Sequence, residues 1–304
     1  MLSKIKRKAY FLKSALSLKA FDGNERVMIC PSLKKNLVLE ALSTRLLDLR
    51  RFRSQPEGTF LRSYLNHAID TFYDQKTNRF HADRFTLDLP KFKNARGVLL
   101  NDYREQFFDN VYFKYLPFGA GLEESVILDC GSNIGAFAIY AATRSEKVRV
   151  ECFEPHPEIR KYLQNNIALN GLESRIHVHE RCLSDKPGDL LLEFNDDCFT
   201  MTKTGTKGNL RVGATTIDRF VQDKGLNKVD LIKMDIEGAE RHALVGAAET
   251  IRKFRPRMAI SAYHIPDDVY TLTKAVLDIV PDYFILVTRE KHLYAFPEPV
   301  HHAH

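Results

Sequence analysis

Two short runs of this chain concentrate the residue types that do chemistry. The first is Asp129-Cys-Gly-Ser-Asn-Ile-Gly135, set between the apolar stretch 125–128 and the helix-like stretch 136–143. Glycines at 131 and 135 let a backbone turn tightly and approach a ligand closely, and a following helix presents unpaired N–H groups at its first turn. Strand, glycine turn and helix in that order make a cradle for a nucleotide-type cofactor. The second run, Asp230 to Glu240, places Lys233, Asp235 and Glu237 at alternate positions of a stretch that otherwise reads as a buried strand. An unpaired ion inside a parallel sheet is costly, so these side chains must pair with one another or point into a pocket at the strand's C-terminal end. Ser261-Ala-Tyr-His264 ends a further strand on the same edge, with Pro266-Asp-Asp268 opening the next helix. A histidine there, with an ordinary pKa of about 6.5, could take a proton from a hydroxyl as its oxygen attacks.

The details of the first run narrow the cofactor. Asp129 would repel a pyrophosphate but suits the ammonium of an amino-acid group, and Asn133 stands where a dinucleotide fingerprint has its second glycine. The turn therefore favours S-adenosylmethionine over NAD, although turns of this form also occur in α/β proteins without a cofactor. Glu154 lies 19 residues after Gly135 and closes the next strand, where an acid can accept from both ribose hydroxyls. Its competing role is a cap on the helix after Pro155. Arg181 to Asp185, with Cys182, lies by position where an adenine would rest. Purely structural roles stand beside the others: Lys233 as an ion-pair strut, His264 bonded to the Asp267 turn, Glu240 complementing a helix dipole.

These residues need a frame. Apolar strand-like runs at 126–130, 148–154, 175–182, 229–235, 257–263, 282–288 and 292–296 alternate with helical stretches at 134–144, 157–169, 239–254 and 267–279. That order predicts an α/β fold with a mostly parallel seven-stranded sheet covered on both faces. The last two strands are joined by only Arg289-Glu290-Lys291, so they must form an antiparallel hairpin. A Rossmann-like sheet ending in this way is the shape of class I methyltransferases. Ahead of it, residues 1–105 are expected to form a basic segment and a helical extension, with the catalytic domain over 106–304. Helical spacing recurs at Val38, Leu42, Leu46 and Leu49, and again from Phe60 to Tyr73, while 75–94 reads as a loop and 195–213 as a pocket lid.

Charge is uneven along the chain. The net +6 equals the six cations Lys4, Lys6, Arg7, Lys8, Lys13 and Lys19 within residues 1–20, which hold no acid, so the remainder sums to zero. The body is thus no basic nucleic-acid binder, whereas the terminus could rest on an anionic membrane surface or remain a solvated end. Lys13 and Lys19 interrupt its apolar residues, which rules out a secretory core or a membrane span there and points to the cytoplasm, peripheral at the inner face of the membrane. Five cysteines, at 30, 130, 152, 182 and 198, form no C-x-x-C pair and fit reduced thiols.

Taken together, V-I-L-D-C-G-S-N-I-G, F-E-P-H-P, T-T-I-D, L-I-K-M-D-I-E-G-A-E, A-Y-H-I-P-D-D and L-Y-A-F-P, in that order over about 125–297, resemble the FkbM-type methyltransferase family. The resemblance implies an S-adenosylmethionine-dependent methyl transfer, most often to oxygen, with a glycan, a lipid-linked sugar or another secondary metabolite as acceptor. It carries over Asp129, Gly131, Asn133, Gly135 and Glu154 as cofactor contacts, with Asp235, Glu237 and His264 at the reacting end. Position along the strand ends adds Ser132, Cys182 and Asp235 to the cofactor side, and Lys233, Tyr263 and Asp267 to the acceptor side. A metal-assisted version would use Asp235, Glu237 and His264 as ligands of a divalent ion. The competing readings are a nucleic-acid or peptide methyltransferase and a cofactor-binding scaffold without turnover. Against nucleic acid, the fourth strand ends in D-I-E-G and has no N-P-P-Y run to stack a flipped base.

Overall fold

The structure, a computed structural model, describes residues 27–29, 73–82, 84–91, 112, 123–195, 200–204, 210–288 and 291–297. The basic segment 1–20, the helix expected at 38–49 and residues 60–72 of the helix expected over 60–73 lie outside these residues, while the last residue of that helix, Tyr73, is found in a strand. In chain order the strands are β1 (Val27–Ile29), β2 (Tyr73–Asp74), β3 (Arg79–Ala82), β4 (Phe85–Asp88), β5 (Val126–Cys130), β6 (Arg149–Phe153), β7 (Ile176–His179) and β8 (Cys182–Leu183). They continue as β9 (Gly188–Asn195), β10 (Thr200–Thr204), β11 (Leu210–Thr215), β12 (Leu231–Met234), β13 (Arg257–Ser261), β14 (Phe284–Val287) and β15 (His292–Phe296). The helices are α1 (Ala136–Arg144), α2 (Pro157–Leu169), α3 (Ile217–Asp223), α4 (Glu240–Val245), α5 (Ala248–Phe254) and α6 (Asp268–Ile279).

The main sheet runs β1-β14-β15-β13-β12-β5-β6-β7. Strands β13, β12, β5, β6 and β7 are mutually parallel, and β15 lies antiparallel between β13 and β14. All seven strands expected for this sheet are present, in the order of the class I methyltransferase fold. The central strands are continuous apolar runs because both faces are covered: Ile127, Leu128, Leu231, Ile232, Met258 and Ile260 are all buried. The short link 289–291 forces β15 to run back along β14, and its other edge then closes on β13. The eighth strand, β1, pairs antiparallel with the β14 edge, placing a strand inside the extension expected to be helical.

Three expectations are corrected. The loop-like stretch 75–94 instead holds β3 and β4, which complete an antiparallel meander with β2, and its Phe80, Phe85, Leu87 and Leu89 join one core with α1 and α2. Asn166 of α2 and the helix's C-cap, Asn170, complete it, exchanging hydrogen bonds with the backbone of Asp88 and Thr86 respectively at 2.6–3.1 Å, as a neighbouring strand would. The described residues of the lid expected at 195–213 are sheet, since β9, β10 and β11 join β8 in a four-stranded sheet of order β10-β9-β11-β8. Its own pattern, with Leu192, Val212 and Ala214 buried beside Cys182, alternates at the strand period, which the Thr, Lys and Gly content of the stretch obscured. The single helix expected over 239–254 is two, α4 and α5, broken at Gly246. A Cβ there would stand 2.2 Å from the Ser184 carbonyl oxygen, so the chain passes too close to β8 for any other residue. Among the described residues no helix is long and apolar enough to cross a membrane.

Candidate active site

The glycine turn leaves β5 at the C-terminal edge of the sheet. Gly131 and Ser132 both donate their N–H to the Phe153 carbonyl at 3.1 Å, and the Ser132 hydroxyl donates to the Asp129 carbonyl. Gly131 has φ +82°, and a Cβ on it would lie 1.9 Å from the Asp235 carbonyl oxygen. Gly135 has φ +92°, and a Cβ on it would lie 2.6 Å from Leu163 Cδ1. Both glycines are therefore demanded by the protein's own packing, which brings the turn against the end of β12. Asn133, also at positive φ, is exposed at the lip of the turn.

Glu154 stands just past β6, buried, and accepts the N–H of Asn133 and of His156, each at 2.9 Å. Burial pushes its carboxyl up to about 7 in spite of these two bonds. The helix α2 is capped by His156, whose Nδ1 accepts from Glu158 and Ile159, so Glu154 braces the glycine turn while another residue caps the helix. Cys182 is buried, and its thiol is pushed up to about 12 by burial, with Glu154 adding to the rise. It is chemically quiet.

Asp129 and Lys233 face each other in register across β5 and β12. Their side chains are 0% and 5% exposed and stand 3.1 Å apart. The Lys233 ammonium also donates to the Gly131 carbonyl at 2.6 Å and lies 5.4 and 5.9 Å from the ring centres of Tyr112 and Phe137. Asp129 thus forms an ion pair with Lys233 beneath the turn, and both side chains are buried there.

Beyond the end of β12 the remaining acids converge on one imidazole. His264 Nε2 lies 3.3 Å from Asp235 Oδ1 and 3.5 Å from Glu237 Oε2, and its Nδ1 lies 3.1 Å from Glu240 Oε1. Glu240, fully buried at the start of α4, also accepts the Ile236 N–H at 2.8 Å, which folds the D-I-E-G turn around itself. Burial alone would push His264 down, but the bond to Glu240 and the charges of Asp235, Glu240 and Glu237 outweigh it and raise the imidazole to about 9. Burial pushes Glu237 up, against the pull of His264. Tyr263 is partly exposed at the rim, its hydroxyl 3.5 Å from both Asp235 oxygens. Asp267 is held by Arg241, as is the buried Asp268, which accepts the Ile265 N–H and so fixes the loop carrying His264. The structure thus brings Asp235, Glu237, Tyr263 and His264 together and turns Asp267 away to Arg241.

Two residues of this constellation escaped the sequence reading. Glu240 was visible in the run K-M-D-I-E-G-A-E but read as a dipole complement, whereas its carboxylate turns inward onto His264. Tyr112, whose hydroxyl donates to Asp235 Oδ2 at 2.9 Å, stands 123 positions away in a stretch without periodicity. No local signal marks it.

The model of the methyltransferase FkbM domain matches residues 129–291, more than half of the chain. The chain belongs to the FkbM methyltransferase family. Membership makes it a methyltransferase enzyme. Among curated relatives, the AMB antimetabolite synthetase AmbE of Pseudomonas aeruginosa is 27% identical over 207 residues, 53% of this chain but only 9% of that protein. The 2-O-methyltransferase NoeI of Sinorhizobium fredii is 25% identical, covering 53% of this chain and 72% of NoeI. The hexuronic acid methyltransferase AglP of Haloferax volcanii is 28% identical, covering 43% of this chain and 53% of AglP. The FkbM match begins at Asp129 and includes every site residue named above except Tyr112.

Proposed function

We propose that this FkbM-family enzyme takes its methyl group from S-adenosylmethionine and transfers it to a hydroxyl of a glycan, a lipid-linked sugar or a related secondary metabolite. The observation that carries the reading is the cluster of Asp235, Glu237 and His264 at the strand ends, directly against the glycine turn at Gly131. The donor set suits such a cofactor: Glu154 holds a buried carboxylate with lone pairs left for vicinal hydroxyls, and Asn133 is exposed at the lip of the turn. Asp129, tied to Lys233, supports that side by holding the turn in place. When bound, the cofactor supplies an electrophilic methyl carbon on a sulfonium. The chain's residues then have two tasks: to hold a hydroxyl oxygen in line at about 3–3.5 Å, and to receive its proton at His264 Nε2 or an Asp235 oxygen. The names of NoeI and AglP, a 2-O-methyltransferase and a hexuronic acid methyltransferase, support a sugar hydroxyl as acceptor.

The direct test is transfer of labelled methyl from S-adenosylmethionine to a panel of glycans and lipid-linked sugars, followed by release of S-adenosylhomocysteine. Glu154→Ala is expected to weaken S-adenosylmethionine binding about tenfold to a hundredfold, the loss of a charge-assisted bond of about 1.5–3 kcal/mol. Calorimetry showing unchanged affinity in a folded Glu154→Ala protein would remove that residue from the cofactor site.

The proposal extends to location. With all of the net charge on residues 1–20, the enzyme is expected to work in the cytoplasm at the anionic inner face of the membrane. Deleting residues 1–20 should leave cofactor binding intact and reduce sedimentation with phosphatidylserine vesicles at low salt. Equal sedimentation of both forms would leave the terminus with no membrane role.

A further inference from the structure

We infer that Tyr112, which lies outside the FkbM-matched segment, is a positioning residue for methyl transfer: its hydroxyl orients Asp235 and its ring roofs the Lys233–Asp129 pair. The inference rests on the methyltransferase reading above. Tyr112 is 2% exposed, and its ring meets Phe137 of α1 and His292 of β15 edge-on, with centres 5.4 and 6.0 Å apart. Tyr263 continues this wall, 5.5 Å from His292 and 4.5 Å from His264. One side chain thereby touches both halves of the site. Through its hydroxyl, 2.9 Å from Asp235 Oδ2, it engages one carboxylate oxygen and turns the other, Oδ1, toward His264 Nε2. Through its ring, 5.4 Å from the Lys233 ammonium, it covers the cation that grips the Gly131 carbonyl of the cofactor turn. A hydrogen bond from a buried phenol to a carboxylate is charge-assisted and directional, so it sets the rotation of the carboxylate as well as its energy. A cation under aromatic faces is likewise shielded from water.

The two contacts separate by substitution. Tyr112→Phe keeps the ring and removes the hydroxyl, whereas Tyr112→Ala removes both. With labelled S-adenosylmethionine and a panel of methyl glycosides, Tyr112→Phe is expected to lower kcat about tenfold with little change in KM, because Asp235 is then free to rotate. Its affinity for S-adenosylhomocysteine should stay within about twofold of wild type, while Tyr112→Ala should lose about tenfold as water reaches Lys233 and the turn loosens. Wild-type turnover in Tyr112→Phe, or an equal loss of S-adenosylhomocysteine affinity in both variants, would overturn the assignment. A second readout needs no acceptor. In tyrosine-labelled protein the buried Tyr112 hydroxyl proton should give a downfield NMR resonance that vanishes in Tyr112→Phe and moves in Asp235→Asn. Its absence from the wild type, or indifference to Asp235→Asn, refutes the contact even if no glycoside is methylated, an outcome that would count against the sugar acceptor alone.

Discussion

His264→Ala is expected to turn over about 10²–10⁴-fold more slowly than wild type at saturating acceptor, with cofactor affinity nearly unchanged. The ring has Glu240 at Nδ1 and presents Nε2 to Asp235 and Glu237, the side proposed to receive the acceptor. Because its neighbours raise the imidazole to about 9, it is an imidazolium at neutral pH. A rate that depends on His264 as base must therefore climb with pH toward a plateau above about 9, a limb that the variant lacks. The ordinary value of about 6.5, taken from the residue type alone, would have put that limb near neutrality. The same shift has a stability counterpart. A histidine whose folded pKa is raised stabilises the fold fully below about 6.5, and that contribution is lost as pH rises through about 9. Denaturant melts of wild type and His264→Ala should accordingly converge by about 3 kcal/mol across that window. Full turnover in His264→Ala would make the histidine structural and leave Asp235 or water to take the proton. Loss of wild-type activity to a chelator, restored by Mg²⁺, would instead assign a metal ion to Asp235, Glu240 and His264, whose ligand atoms lie within 4.8 Å of one another, with Glu240 in place of the Glu237 expected from the sequence.

Lys233→Met should destabilise the fold by about 3–5 kcal/mol, because it leaves the Asp129 carboxylate buried without its cation. Asp129 is fully buried, and burial already pushes its carboxyl up against the pull of Lys233. The ammonium is raised by Asp129 and Asp235 in spite of burial, and it stands 3.1 Å from the Asp129 carboxyl. Without Lys233 the acid must take up a proton to remain inside. The folded form of the variant then binds that proton more tightly than the unfolded chain, and its stability falls as pH rises above the ordinary carboxylate range. The double variant Lys233→Met with Asp129→Leu should recover most of the loss, since a packed apolar pair can replace a buried ion pair at little cost. Urea melts at two pH values would settle this: a Lys233→Met deficit below about 1 kcal/mol, or one independent of pH, is incompatible with the buried pair. The double variant should still bind S-adenosylmethionine poorly, as nothing then grips the Gly131 carbonyl.

Much of the frame was legible because periodicity and punctuation are local. The seven strands of the main sheet, the glycine turn and the antiparallel end follow from apolar runs, from D-C-G-S-N-I-G and from a link of three residues between the last two strands. The alternation of Lys233, Asp235 and Glu237 required that these charges find partners or a pocket, and in the fold Lys233 pairs with Asp129 while Asp235 and Glu237 face His264. Residue types thus determined which chemistry was on offer and on which edge of the sheet it stood. The pairings were decided by tertiary structure alone. Asp129 reads as a ligand contact from its place in the turn, and only the register of β5 against β12 sets it opposite Lys233. The glycines were read as room for a ligand, and the space they spare is taken by Asp235 and Leu163. Glu240 turns from a helix complement into the partner of His264 because Ile236 caps it inward, and Tyr112 reaches Asp235 across 123 positions. Local sequence encodes backbone preference and burial, whereas the partner of a buried charge depends on which strands become neighbours, and that is a property of the whole chain.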